Sequence, residues 1–174
     1  MTGGAVPKPQ EVHRVALVCF GGIGDVLLFS PVVAETRRVL PHSHLALFVE
    51  ERSRSAADLL AGVDAVHGLP VEPGLRGRYR LFSHLVGELK QRHYDAAVAT
   101  GSSPYIALAL ALGGVPYRVG YASGTWGQRF LSVAAPLIQR RYASRMHFAL
   151  AETFLGAMLG AEYQPLSDPR PTIR

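Results

Sequence analysis

The stretch Arg14-Val15-Ala16-Leu17-Val18-Cys19-Phe20-Gly21-Gly22-Ile23-Gly24-Asp25 decides the fold. Its first seven residues are an apolar run with β-branched members, bounded by glycines, which reads as a strand buried on both faces. Gly21, Gly22 and Gly24 let the backbone bend sharply and come close to a neighbour. Asp25 follows at once, and then an apolar segment resumes. Strand, glycine turn, helix is where open α/β sheets place their ligands, at the carboxyl ends of strands.

Reading outward, residues 25–29 make a first helical turn. Ser30 as N-cap and Pro31 as first helical residue then start a regular helix to about Leu40. A second strand covers Leu45 to Val49, a short helix Arg52 to Leu60, and a third strand Asp64 to Leu69. Val71 to Gly77 reads as a loop, and Tyr79 to Arg92 as an amphipathic helix with Leu81, Phe82, Leu85, Val86 and Leu89 at helical spacing. Tyr94 to Thr100 is a fourth strand. Ser103 then caps a helix from Pro104 to Leu112 whose all-round apolar surface predicts full burial. Tyr117 to Tyr121 is a fifth strand, residues 123–129 a loop, Phe130 to Ile138 ambiguous between strand and helix, and His147 to Leu159 a helix. This alternation predicts a Rossmann-like three-layer α/β domain with a mostly parallel sheet. Residues 1–13 are expected to form a flexible leader, 14–163 the domain and 164–174 a linker or tail.

A chain of 174 residues, 48% of them apolar, suits a single domain with a sizeable core. One cysteine excludes a disulfide framework and a cysteine-based metal site, and Cys19 reads as a small core residue. The seven histidines show no H-E-x-x-H spacing, so no metal is expected. Without an apolar signal segment or a spanning run, cytoplasmic location is the default. The formal charge of +5 comes nearly all from arginine, since Lys8 and Lys90 are the only lysines. It permits an anionic ligand or an anionic membrane surface. Nucleic acid is not expected, because no recognition module accompanies it.

Two readings of the turn compete. Gly22-x-Gly24 with Glu50 at the end of the second strand is part of a dinucleotide fingerprint. Leu27 at the third glycine position counts against it, and so does Asp25, which would repel a pyrophosphate. The other reading makes Asp25 functional, a base facing the ligand crevice. Capping of the first helical turn accounts for the same residue more simply. Spacing alone leaves both open.

The opening from Val15 to Leu28 with Pro31 resembles that of glycosyltransferase family 9, the heptosyltransferases of lipopolysaccharide core assembly and their relatives. Arg92-His93-Tyr94-Asp95-Ala96-Ala97-Val98 is similar to the family's entry to its fourth strand, Arg118-Val119-Gly120-Tyr121 to its Arg-Ile-Gly element, and His147 to Gly160 to its His-led helix. The resemblance implies one half of a GT-B fold, the N-terminal acceptor-binding domain of an inverting, metal-independent transferase. Asp25 would be the general base, and Gly21, Gly22 and Gly24 would let the acceptor approach. Ser102, Ser103, Arg118 and Arg129 would contact an anionic glycan or glycolipid acceptor. The family often has a basic residue where Cys19 stands.

The resemblance stops before a nucleotide-sugar domain. The expectation is therefore a chain inactive alone and without a cofactor of its own: an excised domain, a truncated gene product, or a stand-alone half working with a separate donor-domain chain or as a homo-oligomer. Arg140, Arg141 and Arg145 could rest on the inner face of a membrane. Trp126 could stack on a sugar or pack in the core. The alternative function is a non-catalytic Rossmann-like module for nucleotide binding or protein assembly.

Overall fold

The structure, a computed structural model, describes residues 6–101, 103–121, 124–135, 143–166 and 171. Six strands, β1 (Arg14–Cys19), β2 (His44–Glu50), β3 (Ala65–Leu69), β4 (Ala96–Ala99), β5 (Tyr117–Tyr121) and β6 (Val133–Ala135), form one sheet. The helices are α1 (Ile23–Leu28), α2 (Ser30–Val39), α3 (Arg54–Ala57), α4 (Gly74–Arg92), α5 (Pro104–Leu112), α6 (Gly124–Gln128) and α7 (Ala143–Leu159). The strand order is β3-β2-β1-β4-β5-β6, and every pairing is parallel. This is a doubly wound Rossmann-like α/β domain, and its order reverses between β1 and β4.

β1 is central because both of its faces are covered. Val15, Leu17 and Cys19 point into a core built with α1, α2, α3 and α7, through residues such as Phe29, Val33, Phe148 and Phe154. Ala16 and Val18 point the other way, against Leu85 and Leu89 of α4 and Leu110 of α5. The period of two along the strand thus separates the two layers. The small residues of β4, Ala96-Ala97-Val98-Ala99, are all buried.

Several elements differ from their sequence expectation. α4 begins at Gly74, five residues before Tyr79, and takes in most of the expected loop. α6 occupies the expected loop after β5, and the ambiguous segment contains β6. α2 begins at Ser30, inside the helix rather than as its cap, and the Ser30 hydroxyl donates to the Leu27 carbonyl at 2.7 Å. α5 has the expected bounds but is not buried all round: Tyr105 and Leu112 are exposed while Ala107, Ala109 and Leu110 are covered.

Part of the leader is docked rather than loose. Val12 is buried, and one Asp95 carboxylate oxygen accepts the backbone N–H groups of His13 and Arg14, both at 2.8 Å. At the other end, the buried Glu35 on α2 accepts from Arg38 and from the Tyr163 hydroxyl at 3.0 Å, while Arg38 also donates to the Gln164 carbonyl at 2.9 Å.

Candidate functional site

Asp25 lies on α1, at the carboxyl end of β1 and beside the point where the strand order reverses. Its side chain is exposed and folds back on the turn, where Oδ2 accepts the Gly22 N–H at 3.0 Å. No other hydrogen bond to this carboxylate forms among the described residues. The acid therefore caps its own helix and stays exposed at the carboxyl edge of the sheet, so the two roles left open by spacing are compatible.

The three glycines are not equivalent. None has a positive φ, so backbone conformation does not demand glycine at any of them. Gly21 is required for space: a β-carbon there would lie 2.6 Å from Asp25 Oδ2. One at Gly22 would meet that oxygen at an ordinary 3.9 Å, and one at Gly24 would meet nothing within 4 Å. The expected sharp bend is thus a close packing of Gly21 on Asp25. Ser53, on the turn after β2, steadies it by donating to the Gly21 carbonyl at 2.9 Å.

Beneath the turn lies a layer of buried polar groups. Burial pushes the Cys19 thiol up to about 12, against a hydrogen bond with Thr100 and with help from the Asp25 and Glu50 carboxylates. The thiol stays protonated, in keeping with a core role. His147 on α7 is 5% exposed, stands edge-on to Phe29 with ring centroids 6.0 Å apart, and has no hydrogen-bond partner for either ring nitrogen among the described residues. Burial lowers its pKa, and the field of Asp25 opposes that shift. Glu50 is buried and pairs with Arg52, so it is not free for a ribose.

The other expected residues divide. Ser103 opens α5 at the carboxyl end of β4, across the switch point from the glycine turn, and its side chain caps nothing. Ser102, Arg140 and Arg141 lie outside the described residues; Arg145 is exposed.

Arg118 does not join the site. It pairs with Ala97, itself level with Ala16, so it stands three residues back along the sheet from Cys19, about 10 Å at the strand rise. Its guanidinium donates to the carbonyls of Phe130 at 2.5 Å, Val115 at 2.6 Å and Pro116 at 3.1 Å. Arg129 is exposed and unpaired among the described residues, but no contact brings it to Asp25. Trp126 is half exposed and sits edge-on to Tyr105 and Phe130, which makes it part of an aromatic cluster.

Sequence reasoning missed Ser53 and the apolar surface that α4 and α5 share near the turn. The run Gly74-Leu75-Arg76-Gly77-Arg78-Tyr79, with basic and apolar residues interleaved, was the available signal for the latter.

Similar folds are known. A glycosyl transferase family 9 structure from Veillonella parvula DSM 2008 superposes with a TM-score of 0.74 over 88% of this chain and 43% of its own, at 15% identity. The fold is that of the family 9 glycosyltransferases. The E. coli heptosyltransferase WaaC with ADP gives a TM-score of 0.69 at 19% identity, over 89% of this chain and 49% of that one. E. coli ADP-heptose lps heptosyltransferase II gives 0.69 at 17% identity, over 92% and 47%. The chain thus spans about half the length of these proteins. No protein-family model matches it, and no curated protein matches its sequence. No helix among the described residues is long and apolar enough to cross a membrane.

Proposed function

We propose that residues 14–163 are the acceptor-binding half of an inverting glycosyltransferase that transfers a heptose-like sugar to an anionic, lipopolysaccharide-core-type acceptor. One observation carries this: an exposed carboxylate, Asp25, is held by a backbone N–H at the carboxyl edge of the sheet, beside the switch point. The likeness in fold to heptosyltransferases supports the choice of chemistry.

Asp25 takes the proton of an acceptor hydroxyl as that oxygen bonds to the anomeric carbon. The bond from that carbon to the nucleotide's phosphate oxygen breaks on the opposite face, and its electron pair leaves with the phosphate. Gly21, Gly22 and Gly24 give the acceptor access to the turn, and Ser103 faces it across the crevice. Arg118 has no part in this reading, because its Nε and Nη1 donors are taken by carbonyls well back from the turn. The nucleotide sugar is held by a second domain, in keeping with the half-length match to the solved structures, so residues 14–163 by themselves perform no transfer. It works in the cytoplasm, where nucleotide sugars are available.

The chain should bind an acidic core oligosaccharide and gain no thermal stability from NAD or AMP. Stabilisation by either nucleotide at micromolar levels, without oligosaccharide binding, would establish a nucleotide-binding module instead. With a donor domain supplied, Asp25→Asn should lower turnover by about 10²–10⁴-fold, the usual worth of a positioned base, and keep acceptor affinity. Near-normal turnover removes Asp25 from the mechanism.

A further inference from the structure

An apolar groove of about 660 Å³ runs between the first half of α4 and the start of α5. Its walls include Phe20, Leu75, Tyr79, Phe82, Tyr105 and Ile106. Leu75 is 83% exposed, Tyr79 73% and Tyr105 59%. Leaving apolar area in water costs about 25 cal/mol per Å², so large side chains gathered in this way mark a surface that something covers. The volume is that of a ligand site, roughly 300–1,000 Å³.

Two observations say what the occupant is. The first is charge. Arg78 lines the groove, and its guanidinium has no hydrogen bond or ion pair among the described residues. Arg80, two residues on, is by contrast held by Glu72 at 2.7 Å. None of the residues lining the groove is acidic. An apolar trough with an uncommitted cation fits a molecule with a hydrocarbon part and a negative head.

The second observation is position. Phe20 directly precedes Gly21, and Ser103 follows β4. Both loops flank the switch point, so one end of the groove lies beside the glycine turn that carries Asp25.

We propose that this groove binds one acyl chain of an anionic lipid, with Arg78 meeting its phosphate or carboxylate head. The proposal deepens the reading above and rests on it for the lipid's role as carrier of the acceptor sugar. Binding of the lipid does not itself require that reading. The lipid comes from a membrane surface, which the exposed Leu75 and Tyr79 and the basic residues of α4 would touch.

Trp126, the single tryptophan, has its ring 6.2 Å from that of Tyr105 and reports on the groove. Its fluorescence should respond saturably to dodecyl phosphate below the micelle concentration. Butyl phosphate has the head without the chain, and dodecyl maltoside the chain without the charge. Each should bind at least about tenfold more weakly, as expected when one of two contacts is lost. Arg78→Glu should cost dodecyl phosphate about tenfold and leave dodecyl maltoside unchanged. Leu75→Glu should weaken both. Both positions are exposed, so the variants keep the fold, which circular dichroism checks.

Equal affinity for the three probes, or indifference to Arg78→Glu, overturns the proposal. A dimer broken by Leu75→Glu, with no binding of dodecyl phosphate, overturns it in favour of a second copy of the chain. Binding of core oligosaccharide without dodecyl phosphate defeats the groove alone. Binding of dodecyl phosphate without oligosaccharide upholds the groove and defeats the acceptor reading.

Discussion

Gly21→Ala tests how the turn holds its acid. The added β-carbon would lie 2.6 Å from Asp25 Oδ2, 2.7 Å from its Cβ and 2.9 Å from its Cγ. Rotating the carboxylate away relieves the first contact and leaves the second, because Cβ is fixed by the helix. The turn cannot slide freely either, since Ser53 holds the Gly21 carbonyl. Losing the hydrogen bond from Gly22 to the carboxylate costs about 0.5–2 kcal/mol. The remaining crowding costs about 1–3 kcal/mol. Together they predict roughly 1.5–5 kcal/mol, or a Tm lower by about 3–20 °C for a chain of this length.

The assay is a double-mutant cycle in urea or heat, with Gly21→Ala, Asp25→Gly and the pair. Asp25→Gly removes the atoms that clash, so the pair should cost less than the sum of the singles by about 1–3 kcal/mol. Additivity within about 0.5 kcal/mol would refute the argument, because glycine would then be needed for something other than Asp25.

Two further predictions concern stability. Arg118→Met should cost about 1–3 kcal/mol in urea unfolding, through the carbonyls it leaves unpaired, and should not change oligosaccharide affinity. A large loss of affinity with unchanged stability would return Arg118 to the site. For Glu35, burial raises the carboxyl pKa, but hydrogen bonds from Arg38 and Tyr163 outweigh it and the net shift is downward. A depressed carboxyl pKa stabilises the fold above the unfolded value, about 4.3, and this contribution fades as pH falls through the lower folded value. The Tm gap between the native chain and Glu35→Gln should therefore be constant from neutral pH to about 5 and narrow below about 4. A gap that widens in acid contradicts the sign.

The sheet was legible because β1 and β2 carry their signals locally, β1 as an apolar run cut off by Gly21 and β2 as one cut off by Glu50 and Glu51. α5 was legible at both ends for a similar reason, since Pro104 and Gly113 punctuate it. α4 was not. Gly74 and Gly77 look like loop residues, yet Gly77 is inside the helix, where it is glycine because the Glu72 backbone passes where a β-carbon would be. α6, with two glycines in five residues, has little intrinsic helix propensity, and the packing of Trp126 on Tyr105 and Phe130 overrides it.

Asp25 could be found because a glycine turn after a strand is a local pattern. The groove could not, because Leu75 and Tyr105 are thirty residues apart and each alone reads as an ordinary apolar helix position. The exposure of Tyr105 on a helix expected to be buried is that groove, seen from one wall.

The single cysteine has a consequence of another kind. Cys19 ends β1, is 1% exposed, and its thiol is pushed up to about 12. A disulfide reagent needs the thiolate and a path to it, so the folded chain is silent to it. Labelling can proceed only when the end of β1 parts from its covering helices, and there is no other thiol to blur the signal. The rate of reaction, compared with that of the unfolded chain, then measures the free energy of opening at the residue beneath the glycine turn. The protein carries its own clock for the part of the fold on which Asp25 stands.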